Sequence, residues 1–219
     1  MNYKVLASGS TGNCTILEDY IAIDMGAPFK TVLPCAAQLQ LVLLTHEHND
    51  HFKATTIRRL ASERPTLRFG CGDWLVGHLL DCGVPAANID VYEMDKWYVY
   101  GSDNRNLRVK PFHLPHNVPN CGYHVHIGDS KSIYATDTSS LNHVEARGYD
   151  LYLIEANHGE QEIVSRIKAK LEAGAFCYEL GAAKNHLSKE AADDWLYANM
   201  GSNSVYVYLH QHVDEMGQQ

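Results

Sequence analysis

The chain has 219 residues, 45% of them hydrophobic, and its 18 Lys and Arg stand against 26 Asp and Glu for a formal net charge of −8. That length can bury a sizeable core, no apolar run approaches the ~18–20 residues of a membrane span, and no leader-like segment opens the chain, so one soluble, cytoplasmic domain over residues 1–219 is expected. The acidic balance excludes a general attraction to polyanions, and any nucleic-acid role must come from a local site.

The first part reads as short strands joined by Gly, Asn and Asp turns: YKVLAS (3–8), CTIL (14–17), YIAI (20–23) and LVLL (41–44). Helical spacing follows in ATTIRRLASE, through Ile57 and Leu60, and in GDWLVGHLLDCG, which Gly83 can stop. From residue 96 the pattern returns to strands, WYVY, LRVKPFH, GYHVHI and KSIYAT, the last two joined across a Gly128-Asp129-Ser130 turn. The strand DLYLIEA precedes a helix over about 160–174, where Ile163, Ile167 and Leu171 recur every four residues on one expected packing face. Ser188 can cap the next helix, KEAADDWLYANM, before a final strand, SVYVYL. Two runs of strands, each with its own helices, predict an α/β, four-layer sandwich of two sheets face to face with helices outside. Six cysteines at 14, 35, 71, 82, 121 and 177 form no CxxC pair, which argues for reduced, mostly buried thiols and against a cysteine zinc site.

One string stands out. THEHNDH, residues 45–51, follows the apolar run LVLL and offers His46, His48, Asp50 and His51, four N/O metal ligands in six positions. In an extended segment His46 and His48 point the same way, while Asp50 and His51 can turn toward a second point nearby. The string can serve one ion fully or two ions partially.

This loop resembles the signature of the metallo-β-lactamase-fold hydrolases, and LASGSTGNCTIL with AIDMG resembles the N-terminal hairpins of a branch containing bacterial exonuclease-like and phage-encoded proteins. The resemblance covers nearly the whole chain and implies an αβ/βα sandwich with a dinuclear site at one edge of the sheets. It implies further ligands at His116 in LPHNVPNCGY, Asp137 in YATDT and His186 in KNHLS. One ion would then lie with His46, His48, His116 and Asp137, the other with Asp50, His51, Asp137 and His186. Independently of the family, Asp137 ends an expected strand, and His116 and His186 fall in loops that a rigid sheet can aim. The resemblance also suggests that Asp24 orients the ligand loop by hydrogen bonds, although a plain turn aspartate fits equally. Two departures matter: Asn117 stands where an aspartate is common, and YLHQHVDE lacks the Ser and Asn that usually follow that strand's histidine, so His210 and His212 receive no role.

Two ions bridged by a carboxylate lower the pKa of bound water and clamp both oxygens of an in-line displacement, which suits a phosphodiester but also a lactone or thioester. Asp50 and His158 are the catalytic candidates: the resemblance implies that IEANHGE lies by the active site, which suggests His158 as general acid with Glu155 beside it. Ser10, Gly12 and Asn13 in GSTGN could form an anion nest, or simply a tight turn. Zinc is the first expectation for both divalent ions, with manganese and iron as alternatives. The resemblance implies nucleic acid or a nucleotide as substrate: a single strand or an end for a nuclease, a cyclic nucleotide for a phage-type phosphodiesterase. Lactone or thioester hydrolysis and an idle metal-binding interaction protein rank lower. No membrane partner is expected, and a homodimer is allowed. The chain leaves no room for the inserted clamp domain of some nucleic-acid-cutting members.

Overall fold

Short apolar strands build two sheets in the computed structural model, which describes residues 1–101 and 106–211. The first sheet contains β1 (Tyr3–Ala7), β2 (Cys14–Leu17), β3 (Ile21–Ile23), β4 (Leu41–Leu43), β5 (Arg68–Cys71) and β6 (Ile89–Val91) in that order, antiparallel as far as β3 and parallel beyond it. Helices α1 (Phe29–Ala36), α2 (Ala54–Glu63) and α3 (Val76–Asp81) fall between its parallel strands. The second sheet runs β7 (Tyr98–Tyr100), β8 (Leu107–His113), β9 (Cys121–Ile127), β10 (Ser130–Ala135), β11 (Leu151–Glu155), β12 (Val205–Leu209). It is antiparallel from β7 to β10 and parallel from β10 to β12. Between β11 and β12 come α4 (Glu160–Glu172), α5 (Glu179–Asn185) and α6 (Lys189–Asn199).

Burial sorts into three apolar clusters, as four layers require. Ile21, Ile23, Leu41 and Leu43 of the first sheet meet Val109, Tyr123, Val125 and Leu153 of the second in the central one. Ile16, Val42 and Phe69 face outward onto Val32, Ile57 and Leu60 of α1 and α2. On the far side, Ile133, Tyr152 and Ile154 pack on Trp195 and Leu196 of α6. This is the αβ/βα sandwich that the strand pattern predicts.

Most expected elements match to within a residue or two, including α2 and β8 over their full length and the Ser188 cap, whose Oγ accepts from Ala191 N–H at 3.1 Å. Four elements escape the pattern: α1, β5, β6 and α5. Pro34 argues against a helix because it removes one backbone donor, yet the eight residues of α1 are held by Phe29, Val32 and Ala36 against the first sheet. Both strands have four residues or fewer, too few for a period to register. The expected packing face of α4 is corrected: Ile163 is buried, but Leu171 is 58% exposed, because α4 packs chiefly on the short α5 rather than across a sheet. Four cysteines are buried, Cys35 and Cys177 are half-buried, and all six are free thiols. Among the described residues no helix is long and apolar enough to cross a membrane.

Candidate metal centre

Six imidazoles and four carboxylates gather where the two sheets present the C-terminal ends of β3, β4, β10, β11 and β12. Asp24 and His210 directly follow β3 and β12, Asp137 follows β10 after one residue, and the three adopt positive φ, 59°, 52° and 56° respectively, a backbone region that side-chain-bearing residues rarely occupy. The reversal turns each side chain back over the edge of its sheet. Strain concentrated at three converging positions marks the rim as a functional site.

The loop after β4 is pinned from below. Asp24, fully buried, accepts hydrogen bonds from Thr45 N–H at 3.0 Å, Thr45 Oγ1 at 2.9 Å, His51 Nδ1 at 2.6 Å and Tyr134 OH at 3.0 Å. Thr45 Oγ1 donates to Asp24, so at 2.9 Å it accepts from His46 Nδ1. The backbone of Asp50 is clamped as well. Its carbonyl accepts from Asn13 N–H at 2.6 Å, and a Cβ at Gly26 would stand 1.7 Å from it, so only glycine fits there.

These outer contacts decide the tautomers. His46 and His51 donate through Nδ1, and His116 Nδ1 donates to the Asn185 carbonyl at 3.4 Å. Each therefore turns the lone pair of Nε2 inward. His46 Nε2 and His116 Nε2 lie 3.1 and 3.4 Å from His48 Nδ1, and Asp137 Oδ1 is 3.8 Å from His116 Nε2. On the other side His51 Nε2 stands 2.8 Å from Asp137 Oδ2, which is buried and accepts no hydrogen bond. A ring nitrogen and a carboxylate oxygen that approach so closely need a positive charge between them, which a proton on His51 or a metal ion held by both supplies. The donor set thus fits divalent metal.

His210, left without a role by sequence, stands in the second group. Its Nδ1 contacts Glu155 Oε1 at 3.1 Å, and its Nε2 lies 3.3 Å from Asp50 Oδ2 and 3.8 Å from Asp137 Oδ1. Asp50, His51 and His210 form one potential ligand group; Asp137, Glu155, His186 and His210 form another; His46, His48, His116 and Asp137 form the third. His186 instead points Nδ1 at Glu155 Oε1 across 2.6 Å and is 3.7 Å from Asp137. Glu155 Oε2 accepts from the backbone of Thr138 and Leu187 at 2.9 and 3.2 Å. His212 lies outside the described residues.

The electrostatics differ between the two sides. Burial, reinforced by His51, pushes the pKa of His46 down, and burial does the same at His116, so these imidazoles stay in the neutral, metal-binding form. Burial also opposes protonation of His51 and His210, but at His51 it is outweighed by Asp137 and Asp24, and at His210, raised to about 10, by Asp137, Asp50 and Glu155. Burial works against ionisation of Asp137 too, yet His51 and His210 hold its carboxyl well below the usual range. The second side is a place that demands positive charge.

The remaining candidates fall around this rim. Ser10, Asn117 and His186 line the open depression over the ligands. Gly9, Gly12 and Asn13 already donate their amides to Asn13 Oδ1, the Gly9 carbonyl and the Asp50 carbonyl, the pattern of a tight turn that packs against the ligand loop. Asn13 Nδ2 also reaches His51 Nε2 at 2.8 Å. His158 lines a separate, adjoining cavity of about 200 Å³ together with Asn157 and Lys189, and burial lowers its pKa. It belongs to none of the three ligand groups.

Residues 22–192 match the family model described as the beta-lactamase superfamily domain. The chain belongs to that superfamily. As a hydrolase of the metallo-β-lactamase fold it is 26% identical over 231 aligned positions to the exodeoxyribonuclease WalJ of Streptococcus pneumoniae, an alignment that covers 94% of this chain and 80% of WalJ. Among solved structures of the fold, YhfI from Bacillus subtilis superposes with a TM-score of 0.71 at 16% identity, covering 95% of this chain and 85% of YhfI. Human tRNase Z, short form, superposes at 0.68 and 15% identity, covering 96% and 93%.

Proposed function

We propose that this chain is a dinuclear metal-dependent phosphodiesterase that cuts nucleic acid, acting on single strands or ends. The observation that carries the reading is the inward-turned ring nitrogens of His46, His51 and His116 around an Asp137 oxygen that no hydrogen bond satisfies. His46, His48, His116 and Asp137 would hold one ion, and Asp50, His51, Asp137 and His210 the other. Divalent cations there supply an activated water and neutralise charge on a phosphodiester. Zinc heads the expected metals, followed by manganese and iron, since the donors are nitrogen and oxygen throughout.

In this reading His210 takes the ligand position expected of His186, and His186 takes the proton-donor role expected of His158. Burial works against its protonation, but the Glu155 carboxylate raises its pKa, and it sits half-buried on the wall of the depression. A protonated imidazole held in that position can deliver a proton to the departing oxygen. Asp24 and Glu155 act through the histidines they orient. The nuclease relative WalJ and the fold likeness to tRNase Z support nucleic acid as the substrate.

A second reading, hydrolysis of a cyclic nucleotide, draws on the cavity of about 200 Å³ beside the centre, which shares Tyr178 and Ala182 with the wall of the depression. Elemental analysis of the purified protein and turnover of single-stranded DNA, RNA, cyclic mononucleotides and bis-p-nitrophenyl phosphate test both. Metal-dependent cleavage of the polymers is expected. Turnover of cyclic nucleotides alone would select the second reading, and no metal-dependent turnover of any phosphodiester would sink both.

A further inference from the structure

The chain is acidic overall, yet one sheet face is cationic. Across β8, β9 and β10 the register sets Arg108 opposite His126 and His126 opposite Lys131, with Lys110 opposite His124 in the next outward row. Trp97 lies over both rows. Its ring centre is 4.5 Å from that of His126 and 6.4 Å from that of His124, and the Arg108 guanidinium and Lys110 ammonium each lie 5.6 Å from it. No carboxylate pairs with these three cations among the described residues, and Asp150 reaches only the backbone N–H of Lys131.

Beneath the ring His126 Nε2 meets Tyr149 OH at 3.1 Å, but other polar atoms are left unsatisfied. His124 and His126 are 3% and 8% exposed, and their Nδ1 atoms, like Arg108 Nε, are buried without a hydrogen-bond partner. Burial above all, and then Lys110, push the pKa of His124 down to about 3, and burial with a smaller contribution from Arg108 and Lys131 takes His126 to about 4, so both rings are neutral. Neutral histidines separate the cations across the strands, so Arg108, Lys110 and Lys131 present positive charge that no protein carboxylate answers, a face suited to an anion. Trp97 is itself 42% exposed.

We propose that the outer face of β8 and β9, with Trp97 as its platform, is the docking track for single-stranded nucleic acid, a base stacking on the indole while phosphates meet Arg108, Lys110 and Lys131. Aromatic rings flanked by cations on a sheet bind single strands in this way, and an unpaired base is needed to offer its flat face. His116 lies six positions after Lys110, about 20 Å of chain at most, so a few nucleotides bridge the track and the ligand cluster. The inference rests on the nuclease reading for its purpose, but not for its test.

The test is equilibrium binding of a fluorescein-labelled 15-nucleotide single strand, read by anisotropy in EDTA so that no turnover enters. The Arg108→Glu/Lys110→Glu variant should weaken binding at least tenfold and flatten the salt dependence by roughly 1.4 log units per decade, two single-strand phosphate contacts' worth. Trp97→Ala should weaken binding several-fold with the salt slope unchanged, and Lys110→Arg should retain it. Circular dichroism establishes that each variant is folded; if the double variant is not, Lys131→Glu with Trp97→Ala should again weaken binding at least tenfold and flatten the salt dependence by roughly 0.7 log units per decade, one phosphate contact's worth. Binding and slope unchanged in the folded variants, or no binding by the wild-type protein at low salt, overturns the track. Equal competition by polyglutamate would also overturn it, assigning the face to an acidic protein. Loss of all hydrolysis with binding intact would strike the nuclease reading and leave the track standing.

Discussion

The two sides of the metal centre rest on the same device used at different range. On one side Asp24, just past β3, holds Thr45 and His51, and through Thr45 it orients His46, all within one seven-residue string. On the other, Glu155 at the end of β11 holds His186 and His210, which are 31 and 55 residues further along the chain. Each carboxylate is fully buried at the end of a strand and fixes which ring nitrogen is left facing inward. The comparison teaches that the near side is a local motif with a support, whereas the far side exists only when α5, α6 and β12 are in place.

Deleting the residue both sides share should have the largest effect. Asp137→Ala is expected to abolish phosphodiesterase activity beyond the 10–100-fold loss typical of supporting residues, and to release metal measurable by elemental analysis. The sharpest division comes next: His210→Ala should lose one metal equivalent, while His186→Ala keeps both and loses about 10²–10⁴-fold in turnover on substrates with poor leaving groups, and much less on p-nitrophenyl esters. Metal loss in His186→Ala with full occupancy in His210→Ala would reverse the assignment. Asp24→Asn and Glu155→Gln should each lower metal affinity about 10–100-fold, read by chelator competition, and unequal losses would rank the two supports.

The helical layers repeat the contrast in stability. Leu60→Ala in α2, fully buried against the first sheet, should cost about 2–5 kcal/mol in denaturant unfolding, whereas Leu171→Ala in the exposed part of α4 should stay within about 0.5 kcal/mol. A large loss at Leu171 would mean that this face is covered in solution. Ser188→Ala, which removes the cap of α6, falls between them at about 1 kcal/mol.

Much of the site is legible in the residue order. His46, His48, Asp50 and His51 announce themselves because four ligands in six positions need no folding to be seen together, and the family likeness carries the reading to His116 and Asp137. His210 could not be assigned from YLHQHVDE, where the expected neighbours are missing; its one local signal is a histidine directly after an apolar strand. His158 drew the general-acid role because the family likeness sets the segment IEANHGE beside the active site, whereas its side chain lines a separate, adjoining cavity.

Strand alternation, the turn glycines and the clustered ligands determine by themselves that this chain forms a two-sheet sandwich with metal-binding chemistry, because each is a short-range property of neighbouring residues. Tertiary structure alone decides that His210 joins Asp50 and His51 at the rim, that His186 and His210 both reach Glu155, and that three lysine and arginine side chains of an acidic protein share one face with Trp97. Those outcomes depend on the register between strands and on left-handed turns at Asp24, Asp137 and His210, where side-chain direction is set by backbone geometry that no local pattern encodes.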